Sequence, residues 1–130
     1  MKHLFQTGDQ QHFSRLVTAE DCATFDSGTV HPVYATFALA RDAEWCSRLF
    51  ALQMKDEEEE GIGTQLSITH HAPAPIGSTV HFTATIHRLQ HHEIICDFTA
   101  HHGDRLIASG QTGQKILPKK KLEQLFSQLK

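Results

Sequence analysis

The chain is poor in the features that would mark several classes of protein. Its 130 residues hold three cysteines, Cys22, Cys46 and Cys96, odd in number, widely spaced and without a CxxC pair. That pattern argues against a disulfide framework and a thiolate metal site, and leaves three small apolar side chains to bury in a reducing cytosol. No apolar run approaches the roughly eighteen residues of a membrane span, and the opening MKHLFQTGDQQHF lacks the continuous hydrophobic stretch of a secretion signal. The expectation is a soluble, cytoplasmic protein with no membrane partner. A formal charge of −3 gives no reason to expect nucleic acid as a partner. There is no internal repeat and no linker, so residues 1–130 are expected to form a single domain with one core.

What is present begins with one long helical pattern, Phe37–Gln53, FALARDAEWCSRLFALQ. Leu39, Ala43, Cys46 and Phe50 make one apolar stripe; Ala38, Trp45, Leu49 and Leu52 make a second. Such a helix is expected to be buried on more than one flank, with Arg41, Glu44 and Arg48 as its polar stripe. The acidic run Lys55–Glu60 reads as a solvated loop.

Other segments alternate with period two. His12–Val17 reads as a first strand, Ala19–Phe25 as a short helical turn capped by Thr18, and Pro32 as the end of regular structure before the helix. After the helix, Thr64–His71 carries Leu66, Ile68 and His70 on one face. Thr79–Arg88 carries Val80, Phe82, Ala84 and Ile86; Glu93–His101 carries Ile94, Cys96, Phe98 and Ala100. Arg105–Leu117 carries Leu106, Ala108 and Ile116. Short turns between them predict antiparallel pairing, with the sheet covered on one face by the helix. Lys119–Leu129 reads as a short amphipathic helix behind Pro118. The whole is an α+β fold, an antiparallel sheet wrapped around a long central helix.

Three polar residues stand where packing alone does not ask for them. His70 lies on the apolar face of its strand, where an imidazole is either a satisfied core residue or a functional group. Glu44 lies within the helix, with Arg48 four residues on as a possible surface partner. Thr36 precedes the helix, where a hydroxyl can cap an orphan amide. The eight residues from Thr36 to Glu44 turn about 80° around a helix, so the two could border one cleft. Hydroxyl, carboxylate and imidazole are together the parts of a nucleophile, an orienting group and a general base. The pairs His70-His71, His91-His92 and His101-His102 raise a metal site as another reading, but neighbours in a strand face opposite ways and no helical HxxxH accompanies them.

The segments VYATFALARDAEWC (Val33–Cys46) and GIGTQLSITHHAPAPIGSTV (Gly61–Val80) resemble the hotdog-fold thioesterases most similar to fluoroacetyl-CoA thioesterase. The likeness rests on Thr36, Glu44-Trp45, Gly63-Thr64, His70, Ala72 and Gly77. It implies a hotdog fold, a homodimer with active sites near the subunit interface, and hydrolysis of an acyl-CoA thioester without a metal or other cofactor. By the same resemblance Thr36 would be nucleophile or polariser of the carbonyl, His70 general base and then acid. Glu44 would hold a proton partner or activate water, and Gly63 and Thr64 would contact substrate. Two departures narrow the inheritance. Gln114 stands where relatives tend to carry an arginine, and the segment before the helix has no obvious match to an aromatic lid. A small to medium acyl group is therefore expected in place of fluoroacetyl selectivity. A non-catalytic acyl-CoA-binding or sensing protein on the same fold is the alternative. Lys119-Lys120-Lys121 is a candidate contact for the CoA phosphates.

Overall fold

The computed structural model describes residues 1–129, with Val30 by its backbone alone. In chain order the elements are β1 (Gln10–Leu16), a 3-10 turn (Ala19–Asp21), β2 (Cys22–Phe25), β3 (Gly28–Tyr34) and α1 (Thr36–Met54). Then come β4 (Glu59–His70), β5 (Thr79–Gln90), β6 (Glu93–His102), β7 (Arg105–Pro118) and α2 (Lys119–Ser127). Five strands form one antiparallel sheet in the order β1-β5-β6-β7-β4, and β2-β3 is a separate hairpin. This is the hotdog arrangement expected from the sequence.

Helix α1 contains neither glycine nor proline, and alanine, leucine and arginine carry much of its length, so propensity and pattern agree. It crosses all five strands and buries Ala38, Leu39, Ala43, Cys46, Phe50, Ala51 and Met54 against them. The facing residues are Val80, Phe82, Ala84 and Ile86 of β5, and Ile94, Cys96, Phe98 and Ala100 of β6, as alternation predicts. All three cysteines are free and buried. Burial pushes the Cys46 thiol up to about 11 and that of Cys96 up to about 12, so neither is a thiolate near neutrality.

Several expectations need correction. The second apolar stripe of α1 is not buried along its length: Trp45 and Leu52 are exposed on the surface of the chain. Pro32 does not end regular structure but lies within β3, at a register shift where Cys22 opposes Tyr34 and Ala23 opposes His31. Two residues of β3 are extra there, so no ladder amide is required of the proline. Only Ala19–Asp21 of the expected turn is helical, since Cys22–Phe25 pairs with β3. Glu59 and Glu60 begin β4 and bind the N-terminal amine and Arg48 respectively. Leu106 faces outward while Ile107 is buried, because β7 carries an extra residue between the pairs His101–Leu106 and Ala100–Ala108. On α2 only Leu122 is buried; Leu125 and Phe126 are exposed, as is Leu129 just beyond it.

Candidate functional site

The site is built at the first turn of α1. Ala35, not Thr36, is the N-cap, and Thr36 is the first helical residue. Its hydroxyl is therefore free of the capping role and lies 3.0 Å from His70 Nδ1, at the end of β4. Thr36 is exposed and His70 half-buried. The other ring nitrogen, His70 Nε2, is buried and has no partner. When Nδ1 accepts the threonine proton, the neutral ring carries its hydrogen on Nε2, and that donor lacks an acceptor within the chain. The first intrahelical bond runs from Leu39 N–H to Ala35 C=O, so the amides of Thr36, Phe37 and Ala38 have no intrahelical acceptor. They form a patch of positive potential beside the Thr36 hydroxyl, suited to an oxyanion.

His70 reaches this face through a β-bulge. Gly63 opposes Gln114 and Gln65 opposes Gly113, leaving Thr64 as an extra residue in β4. Gly63 and His70 are seven apart, which in a regular strand puts them on opposite faces. The extra residue resets the alternation, so that both face α1. A Cβ on Gly63 would come within 2.7 Å of Glu44 Oε1; the glycine is what lets that carboxylate lie against the strand. The surface-pair reading of Glu44 does not hold, because the Arg48 guanidinium donates to Glu60 Oε1 at 3.0 Å and to Gly61 C=O at 3.1 Å. Thr64 is exposed and its hydroxyl donates to Glu93 at 3.4 Å; its side chain sits over Gly113, on the face away from the helix.

Four of the five residues thus fall into two groups within one chain, and Thr64 lies outside both. Thr36 and His70 are joined, and Glu44 lies on Gly63. Eight helical residues put Glu44 about 12 Å along α1 from Thr36, and seven strand residues put Gly63 roughly 20 Å along β4 from His70. An open hollow of about 270 Å³, lined by His70, His71, Ala72 and Pro73, adjoins the first group. Phe25 at the tip of β2 meets Phe37 edge-to-face at 6.0 Å, next to Thr36. Both rings are more than half exposed. This aromatic pair was missed in the sequence, since the two rings meet only once the β2-β3 hairpin folds over the helix start. The histidine pairs do not converge: His91 and His92 form the β5–β6 turn, both with positive φ. Among the described residues no group of three His, Cys, Asp or Glu could hold a metal.

A second polar cluster was not foreseen. Asp42 is buried, accepts hydrogen bonds from Arg15 at 2.9 and 3.1 Å and from Arg41 at 3.0 Å, and also from the Tyr34 hydroxyl. Arg41 continues to Asp21 at 2.9 Å, and Asp21 is held by the Thr18 amide and hydroxyl. Burial raises the Asp42 carboxyl, but the bonds from Arg15, Arg41 and Tyr34 outweigh it and hold the group below the usual range. Tyr34 is shifted upward, by burial first and the Asp42 bond second. The signal was there to read: Asp42 stands on the buried face of α1, beside Ala43 and between Leu39 and Cys46, where a charge must find partners.

Comparison with known proteins identifies the family and the fold. A family model described as FlK, fluoroacetyl-CoA-specific thioesterase, matches residues 17–120, which include every residue of both groups. The crystal structure of a hypothetical Thermus thermophilus protein, a thioesterase superfamily member, is 34% identical with a TM-score of 0.92, covering 98% of this chain and 94% of that one. The fluoroacetyl-CoA thioesterase FlK itself is 22% identical with a TM-score of 0.86, over 95% and 96% of the two chains. A hot-dog-like protein from Thermanaerovibrio acidaminovorans is 18% identical with a TM-score of 0.87, over 96% and 93%. No curated protein matches by sequence. Matched by the family model over most of its length, the chain belongs to the fluoroacetyl-CoA-specific thioesterase family of hotdog proteins.

Proposed function

We propose that this protein hydrolyses small to medium acyl-CoA thioesters, with Thr36 as nucleophile and His70 as general base and acid. The observation that carries the reading is the 3.0 Å contact between Thr36 Oγ1 and His70 Nδ1, with Nε2 buried and unpartnered. His70 takes the threonine proton as Oγ1 attacks the thioester carbonyl. The α1 amides hold the oxyanion, and the proton passes to the departing CoA sulfur. Water then attacks the acyl-threonine, gives its proton to His70, and the free acid leaves with Thr36 restored. Phe25 and Phe37 offer the apolar wall for the acyl chain. Lys119, Lys120 and Lys121, exposed at the start of α2, suit the CoA phosphates.

The site is completed in a homodimer. β4 is the edge of the sheet, with Leu66 exposed, and Trp45 and Leu52 of α1 are exposed too. An edge strand pairing antiparallel with its two-fold copy about Ser67, with Thr64 bulged out, brings position 63 of one chain opposite position 70 of the other. Glu44 of the partner subunit then becomes the acceptor for His70 Nε2–H, the orienting carboxylate of a triad.

Purified protein, assayed for thiol release against a panel of acyl-CoAs, tests the activity; Thr36→Ala and His70→Ala should each lower it by about 10²-fold or more. Binding without turnover in the wild type would make the protein a sensor instead. Mixing inactive His70→Ala with inactive Glu44→Gln chains tests the assembly. Random heterodimers with shared sites recover about a quarter of wild-type activity, because half the dimers are mixed and each has one intact site. No recovery would place Glu44 and His70 in separate functions.

A further inference from the structure

Gln114 is 2% exposed, and both its amide nitrogen and its carbonyl oxygen lack a hydrogen-bond partner. Leaving a buried amide unsatisfied is unfavourable, and a methionine of similar volume would avoid the penalty. The position explains what the amide gains. Gln114 on β7 faces α1 as the direct cross-strand neighbour of Gly63, the residue on which the Glu44 carboxylate lies. β-carbon positions of such a pair are about 5 Å apart. The next inward position, Gly61, also lacks a side chain, and a Cβ there would stand 3.3 Å from Gln114 Oε1 and 3.3 Å from Arg48 Nη1. Two glycines therefore leave room on this face: the carboxamide oxygen and the end of Arg48 lie over Gly61, and the Glu44 carboxylate lies over Gly63, two residues along the same strand.

We propose that Gln114 is a positioning residue for Glu44: its amide N–H donates, through one bridging water, to the Glu44 oxygen that His70 does not use. The proposal rests on the triad reading above and adds to it the group that fixes the carboxylate. A neutral amide suits the task. It restrains the rotamer without quenching the negative charge that must face the imidazolium formed on His70. An arginine or lysine at this place would orient the carboxylate and neutralise it together.

The test is a double-mutant cycle on the full chain, read by thiol release, with wild type, Gln114→Met, Glu44→Gln and the double variant. Gln114→Met removes only atoms that have no protein partner, so its melting temperature should not fall below that of the wild type. Its kcat should drop about tenfold with KM little changed. In the Glu44→Gln background the same change should have no further effect, since a residue acting through Glu44 has nothing left to position. Equal losses in both backgrounds, or an unchanged kcat in the single variant, overturn the proposal while leaving the hydrolase reading intact. Should Gln114→Met fail to fold, Gln114→Asn keeps the amide but withdraws it by one methylene, and the same cycle applies. A wild type that releases no thiol from any acyl-CoA overturns the hydrolase reading itself, and the positioning role with it.

Discussion

Asp42 and Glu44 leave the same helix two residues apart, and their surroundings could hardly differ more. Asp42 turns inward and is met by two guanidiniums and a phenol. Glu44 turns to the β4 side, is exposed, and takes part in no ion pair among the described residues. The first cluster is closed: its charges balance, Arg15 and Arg41 against Asp42 and Asp21, and it ties β1 and the turn before β2 to α1. The second is open, and the three buried side-chain polar atoms without partners among the described residues, on His70 and Gln114, lie on the same sheet face as Glu44. A carboxylate whose bonds are all made within the chain holds structure together. One beside unmade bonds is free to act on something that arrives.

That contrast is broken most sharply by exchanging the damage. His70→Ala should lower turnover by about 10²–10⁴-fold, the range for loss of a general base. Its melting temperature should stay close to that of the wild type, because the half-buried ring makes one hydrogen bond in the chain. Thiol-release kinetics and a thermal melt on one preparation decide it. A large loss of stability with preserved kcat would make His70 a core residue and Asp42 the more interesting acid.

Asp42→Asn should do the opposite. It leaves two guanidiniums facing a neutral amide at a buried position, a change that costs about 3 kcal/mol. The low end of the range applies because Arg15 and Arg41 are themselves partly solvated. Turnover of the molecules still folded should change little. The pH dependence follows from the directions of the shifts. Asp42 has its pKa lowered in the folded chain, so its contribution is complete above the unfolded value of about 3.9 and fades as pH falls below it. Tyr34 has its pKa raised, so its contribution holds below the unfolded value of about 10 and fades above it. Denaturation midpoints should therefore decline at both extremes in the wild type, and the acid decline should be shallower in Asp42→Asn. A variant with the same acid limb would mean other carboxylates set it.

The two clusters were not equally legible in the sequence. Period-two alternation in β5 and β6 and the stripe Leu39-Ala43-Cys46-Phe50 located the core, because there each residue's face depends on its own strand or helix alone. Parity failed where a strand takes an extra residue. The bulges at Thr64 and Ile107 leave no local mark, yet they decide which side chains face α1. Asp42 was hidden by its apolar neighbours, and its partners come from β1, β3 and α1 itself, which no spacing rule joins. Phe25 and Phe37 meet for the same reason, through a hairpin whose docking is tertiary. The contact of Thr36 with His70 came from resemblance and not from periodicity. That Glu44 stands apart from them in one chain depends on the divergence of a helix from a strand, a quantity in three dimensions that a linear pattern does not carry.

The smallest change tests whether Glu44 needs the room it is given. Gly63→Ala puts a methyl group 2.7 Å from where Glu44 Oε1 now lies, so one of the two must move. The atom in the way is the end of a flexible side chain, and the fold can yield by rotating it. The stability loss should stay near 1 kcal/mol. The carboxylate, however, must give way by most of an ångström from its place against β4, and a positioned group that shifts so far gives up about tenfold in kcat. Gly63→Ala should therefore resemble a weak Glu44→Gln: lower kcat, nearly unchanged KM and no added loss when combined with Glu44→Gln. Full activity in Gly63→Ala would mean that the carboxylate works from another rotamer, and that the open cluster is looser than its geometry suggests.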